Sequence, residues 1–190
     1  MKTLLISLKI FLVFTVLTGI IYPLFITGIA QVIFPAKANG SLLVRDRQVV
    51  GSELIGQQFD SAIYFTSRPS VILYNPLPSG GSNYGLTNIR LKELVTERKH
   101  HFYSFNQLDS QTVIPSEMLF ASASGLDPHI SPQAALLQVN RIAKARHFND
   151  IYKQKLIVCI NDLTEDPQFL CLGEVRVNVL LLNLEIDKIQ

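Results

Sequence analysis

The 190-residue chain is poor in three things: cysteine, net charge, and long apolar runs beyond its first forty residues. Its two cysteines, Cys159 and Cys171, stand twelve apart among apolar neighbours, with no Cys-x-x-Cys pair and no nearby histidine, a pattern that argues against a metal centre. Two small buried thiols and a disulfide in an oxidising compartment both remain open. Seventeen Lys and Arg against fifteen Asp and Glu give a formal charge of +2, and Lys2 with Lys9 accounts for that excess, since residues 37–190 carry fifteen of each sign. Nucleic-acid binding, which needs a concentrated basic face, is therefore not expected. No internal repeat or low-complexity tract divides the chain. Complete P-loop, Gly-x-Ser-x-Gly and Asp-Lys-Thr-Gly-Thr sequences are all missing.

What is present is one uncharged run from Ile10 to Ala36. As a helix it would reach roughly 40 Å, enough to cross a hydrocarbon core of roughly 30 Å with some tilt. A cleaved secretory signal is the rival reading, because Lys2 and Lys9 form a basic start and Ala36-Lys37-Ala38 imitates a cleavage site. The length favours an uncleaved anchor, since a signal's apolar region runs only about 7 to 15 residues. One span cannot line a pore alone, so the chain acts at the membrane as an anchor or as one subunit of something larger. Orientation is not set by charge, because Lys2 and Lys9 on one side face Lys37, Arg45 and Arg47 on the other. Within the run, Thr15, Gly19, Pro23 and Thr27 recur every four residues, giving a helical stripe of small or kinking side chains of the kind partner helices pack against.

Residues 37–190 have the length of one domain, and the pattern is mixed α/β (α+β): a single soluble domain attached to one N-terminal transmembrane helix. Gln48 to Gln57 and Tyr64 to Arg68 read as short strands. Asn88 to Phe102 reads as a helix with Leu91, Leu94, Val95 and Phe102 on one face. Ser131 and Pro132 open a second helix that should bury Ala135, Leu136, Val139, Ile142 and Ala143 and turn Arg141 and Lys144 outward. A third helix is expected over Ile151 to Leu163, and a final strand over Val175 to Ile186.

Two turn-rich segments stand out as functional candidates. The first runs from Arg68-Pro69-Ser70 through Tyr74-Asn75-Pro76 to a glycine loop containing Ser79, Gly80, Gly81, Ser82 and Asn83; it does not complete the P-loop pattern, ending in Lys and Ser/Thr, that a phosphate cradle needs. The second, Ala121 to Pro132, brings serines together with Asp127 and His129. A hydrolase would use Ser124 or Ser131 as nucleophile and His129 as base, whereas Asp127 before Pro128 and Ser131 before Pro132 also read simply as turn and cap residues.

These two loops carry a resemblance, together with Tyr22-Pro23, Ala30-Gln31, Phe34-Pro35, Gly51-Ser52, Leu54 to Gln57, Tyr64-Phe65, Gln138-Val139 and Gly173-Glu174 followed by Arg176 to Leu180. Over nearly its whole length the chain resembles the C subunit of the bacterial Kdp potassium-transporting P-type ATPase. Tyr84, Leu86 and Val175 depart from the residues typical of that family. The resemblance implies a noncatalytic subunit of an ATP-driven potassium importer in the bacterial inner membrane, with residues 1–9 cytoplasmic, 10–36 crossing and 37–190 extracytoplasmic. It implies as partners a channel-like subunit, a catalytic P-type ATPase subunit and, as a further expectation, a small membrane subunit. It also implies that the subunit raises the pump's ATP affinity; if nucleotide touches this chain, Ser122, Ser124, Gly125 and Gln138 are the expected contacts. Partner contacts are expected at the Thr15, Gly19, Pro23 and Thr27 stripe, at Ser79 to Asn83, and at Asp127 and His129. No metal or resident cofactor is expected.

Overall fold

A computed structural model describes residues 2–169 and 171–189. They form two compact units, one ending at Ser52 and the other beginning at Glu53.

The first unit is an exposed helix followed by a hairpin. Helix α1 (Lys2–Val16) passes through a π turn (Leu17–Ile21) into α2 (Tyr22–Ile33), and a further turn, α3 (Pro35–Ala38), follows a break at Phe34. The stretch Lys2–Ile33 is the one helix among the described residues long and apolar enough to cross a membrane, and none of it is buried. It starts earlier than the run at Ile10 and stops before Ala36. The π turn sits where Pro23 demands it. Proline has no N–H and its ring clashes with the carbonyl four residues back, so the helix widens ahead of it and the Tyr22 N–H reaches Leu17 instead. Thr15 and Thr18 donate to the Phe11 and Phe14 carbonyls at 2.8 and 2.7 Å, which satisfies their hydroxyls within the helix. Strands β1 (Leu42–Arg45) and β2 (Gln48–Ser52) pair antiparallel through Asp46 and Arg47, both at positive φ as a tight hairpin turn requires.

The second unit holds the core. Helix α4 (Ile89–Asn106) is capped by Asn88, whose side chain accepts from the Arg90 N–H at 2.8 Å. Ser131 caps α5 (Pro132–Leu136) through the Ala134 N–H at 3.1 Å, as its place before proline foretold. After a break at Leu137 and Gln138 come α6 (Val139–Ala145) and α7 (Asp150–Asp162). A small antiparallel sheet places β5 (Arg176–Asn178) between β3 (His129–Ile130) and β4 (Thr164–Glu165). Ile130 and Val177 face each other across it and pack with Ala134, Ala135, Ile142, Leu156 and Ile160.

Four expectations need correction. The alternation of Val175, Val177 and Val179 does not continue to Ile186 as a strand: β5 stops at Asn178, whose side chain accepts from the Leu180 and Leu181 N–H groups and opens α8 (Val179–Ile186). An asparagine cap has overridden β propensity there. The helix after Ser131 is two helices, so Leu136 is exposed while Arg141 turns into the core at 4% exposure. The strand expected over Gln48 to Gln57 stops at Ser52; of the cysteines, left open by the sequence, Cys159 is buried and Cys171 exposed, both as free thiols.

The fourth correction concerns Tyr64 to Arg68, which is extended but forms no strand. Phe65 is fully buried, and its backbone must find hydrogen bonds somewhere. Asn183 of α8 supplies both, its Oδ1 accepting from the Phe65 N–H at 2.8 Å and its Nδ2 donating to the Phe65 carbonyl at 2.9 Å. Gln138 treats Thr66 in the same way, accepting from its N–H at 2.8 Å and donating to its carbonyl at 3.3 Å. Arg141 donates to the Ala62 carbonyl at 2.6 Å and Arg146 to that of Ile63 at 2.8 Å. Side-chain amides and guanidiniums stand where a neighbouring strand would be. Replacing Asn183 with Ala orphans two buried backbone groups and should cost roughly 2–4 kcal/mol, whereas the exposed Lys144→Ala should cost about 0.5 kcal/mol or less; urea unfolding of the full chain in detergent measures both.

Candidate functional site

The segment clamped at Phe65 and Thr66 leads directly into Arg68, and there the two turn-rich loops meet. Arg68 donates from one guanidinium nitrogen to Asp127 Oδ2 at 2.6 Å. The other carboxylate oxygen, Oδ1, accepts from the His129 backbone N–H at 3.0 Å and lies 3.3 Å from the His129 Nδ1. Burial pushes the Asp127 carboxyl up, but hydrogen bonds from His129 and Arg68, together with the Arg68 charge, outweigh it and hold the pKa at about 2. Arg68 Nε is buried without a hydrogen-bond partner among the described residues.

Around this pair the loops are tied at several points. Ser70 donates to the Gly125 carbonyl at 2.8 Å and accepts from the Tyr74 N–H at 3.0 Å. The Tyr74 hydroxyl donates to the Arg68 carbonyl, and burial pushes that phenol up to about 12. Ser79 donates to the Ser124 carbonyl at 2.9 Å, and the Gly56 N–H donates to Leu126 at 2.7 Å. Two glycines permit the approach. A Cβ on Gly56 would sit 2.7 Å from the Tyr74 ring and 2.8 Å from the Asp127 carbonyl oxygen; one on Gly125, whose φ is +70°, would sit 2.7 Å from Ile72.

The residues singled out by sequence fall into three groups. Ser79, Gly80, Gly81, Ser122, Ser124, Gly125, Asp127 and His129 belong to the joined loops, with Ser82 half-buried and Asn83 exposed on the first of them. Gln138 belongs to the core instead: it is fully buried, its Oε1 accepts from the Thr66 N–H and hydroxyl and from Arg141, and its Nε2 donates to the Thr66 and Ala134 carbonyls. It keeps no polar atom for a ligand. Thr15, Gly19, Pro23 and Thr27 lie on the helix of the first unit, with Gly19 inside the π turn and open space where its Cβ would be.

The serines of this arrangement serve the local backbone. Ser122 and Ser124 accept from the N–H groups of Gly125 and Leu126, at 3.0 and 3.1 Å, and so close their own turn. Ser131 serves its helix cap, and among the described residues no serine hydroxyl is hydrogen-bonded to His129. The nucleophile-to-base contact of a serine hydrolase is thus not assembled. Nor do the described residues contain a group of three His, Cys, Asp or Glu side chains able to hold a metal ion. Sequence reading missed the Arg68–Asp127 pair and the buried Gln138–Arg141 pair. The second had a signal, because polar residues three apart between apolar helix positions share the core-facing side.

The sequence pattern of the family KdpC, described as "K+-transporting ATPase, c chain", matches residues 4–188. Among curated relatives, a potassium-transporting ATPase KdpC subunit of Polynucleobacter asymbioticus is 46% identical over 183 residues, covering 95% of both chains. The subunit of the same name from Leptospira interrogans is 43% identical over 182 residues, covering 96% of this chain and 92% of the relative. That of Dechloromonas aromatica is 44% identical over 193 residues, covering 100% and 99%.

Because the Asp127 pKa of about 2 lies below the roughly 3.9 of an unfolded aspartate, its contribution to stability is complete above about pH 4 and lost as pH falls toward 2. Urea midpoints at pH 7, 4 and 2.5 should show Asp127→Asn less stable at neutral pH by on the order of 2 kcal/mol, with that gap closing in acid.

Proposed function

The chain belongs to the KdpC family of K+-transporting ATPase subunits, and from that membership we propose that it is the accessory, single-span subunit of an ATP-driven potassium importer. Residues 1–9 lie in the cytoplasm, 10–36 cross the inner membrane, and 37–190 form the extracytoplasmic part. The helix stripe of Thr15, Gly19, Pro23 and Thr27 packs on partner helices. The joined loops, with Ser79 to Asn83 and Asp127 beside His129, dock on the channel-like or the catalytic subunit and stabilise their assembly. A domain outside the membrane does not reach cytoplasmic ATP, so any rise in the pump's ATP affinity passes through the helix as a coupling free energy. The observation that carries this reading is the match over residues 4–188 on a chain whose described residues include one apolar helix of spanning length. The internal use of the Ser122, Ser124 and Gln138 polar groups supports an indirect effect on nucleotide rather than contact with it.

Two experiments test it. Gly19→Leu adds bulk where the chain itself leaves open space, so any loss reports on partners: copurification of the transport complex should fall several-fold while the rest of the chain stays folded, and unchanged recovery would remove the stripe from the account. Cysteine labelling of the intact complex in membranes, with Asn83→Cys placed in a Cys171→Ser background because Cys171 is itself exposed, should succeed with an impermeant reagent from outside; labelling only from inside would reverse the orientation.

A further inference from the structure

Helix α7 is apolar on two sides. Leu156 and Ile160 are buried in the core, yet Ile151 and Val158 stand 68% and 48% exposed on another face. That face lines an open groove of about 800 Å³ together with Glu185 and Ile189, and Cys159 and Leu163 complete the apolar lining. Isolated exposed apolar side chains are ordinary, but a continuous apolar groove on a folded domain marks a contact surface.

Charge decides which occupant fits. Asp150 and Asp162 stand on the groove's lining at the two ends of α7, and neither forms an ion pair among the described residues. Twelve residues of helix separate them, roughly 18 Å. Of the remaining charges, Glu185 is paired with Lys188 at 2.5 Å, and the Lys155 ammonium lies 4.8 Å from the Tyr152 ring centroid. The groove therefore offers an apolar floor between two free carboxylates. An anionic bilayer surface is repelled by such a rim, and a loop without apolar side chains leaves the floor uncovered. We propose that this groove seats an amphipathic helix of about three turns from a partner subunit of the transport complex, with apolar side chains on Ile151 and Val158 and a Lys or Arg near each end facing Asp150 and Asp162. The proposal rests on the reading of the chain as a complex subunit, and it adds a second contact surface to the joined loops.

The test uses the whole complex. A photo-crosslinking amino acid is placed at Val158 in the full chain, coexpressed with the other subunits, with Val113, 75% exposed on a different segment, as the control position. The expected result is a crosslink from position 158 to a partner-subunit peptide that contains Lys or Arg, with none from position 113. Asp150→Lys with Asp162→Lys, both at exposed positions, should cut that crosslink at least tenfold without lowering the unfolding midpoint. Crosslinking of position 158 to lipid, to a second copy of this chain, or to a partner segment without basic residues overturns the proposal, as does silence at 158 in an intact complex or indifference to the double reversal. Failure of the tagged chain to recover any ATPase subunit instead overturns the complex membership itself, and the groove proposal with it.

Discussion

Asn183 and Gln138 hold the backbone of buried Phe65 and half-buried Thr66 by hydrogen bonds that elsewhere would come from a neighbouring strand. An unpaired buried peptide group costs on the order of 1–3 kcal/mol, and the two of Phe65 are met here beside the two part-buried ones of Thr66, so the arrangement is far from incidental. It also explains an otherwise costly residue. Arg141 is buried and burial lowers its pKa to about 10, yet all of its hydrogen bonds go to neutral oxygens: those of Ala62, Ser61, Asn106 and Gln138. Phe105 stacks 4.4 Å from the guanidinium and gives it a favourable electrostatic face. The charge is tolerated because the segment it holds has no other source of donors.

From that clamp the candidate site follows by short covalent steps. Thr66 is fixed, Arg68 lies two residues on, and its ion pair with Asp127 brings the second loop to the first. Gly56 and Gly125 are then needed for clearance, since both positions would drive a side chain into the opposite loop. Loops fastened by this many hydrogen bonds are pre-organised, and would lose little entropy in the docking proposed above. Within the second loop, Ser122 and Ser124 add to that fastening by closing their own turns.

Much of this was visible in the sequence where the signal was local. Asn88 and Ser131 sit where caps belong, the apolar face of α4 has helical spacing, and the run from Ile10 into Ile33 is uncharged throughout. What escaped was every feature whose cause lies far along the chain. Tyr64 to Arg68 has strand-like composition, but its partners are 72 and 118 residues away and are side chains. Val175 to Ile186 alternates like a strand until Asn178, whose role as a cap emerges only once β5 has filled its place between β3 and β4. Arg141 reads as a surface residue unless the acceptors at Ala62 and Gln138 are known. The π turn before Pro23 was not read from the sequence, and it bends the simple four-residue stripe: five residues fill that turn, so Gly19 and Pro23 do not keep the α-helical offset.

The Phe65–Thr66 clamp supports the rest of the site, and amide hydrogen exchange of the full chain in detergent reads it residue by residue. The Phe65 and Thr66 amides should exchange only with global unfolding, as slowly as the amides inside α6 and α8, although they belong to no helix or strand. Exchange at the rate of the exposed Leu77 to Ser79 loop would contradict it, leaving the Arg68–Asp127 junction without the support from which the rest of the site is built.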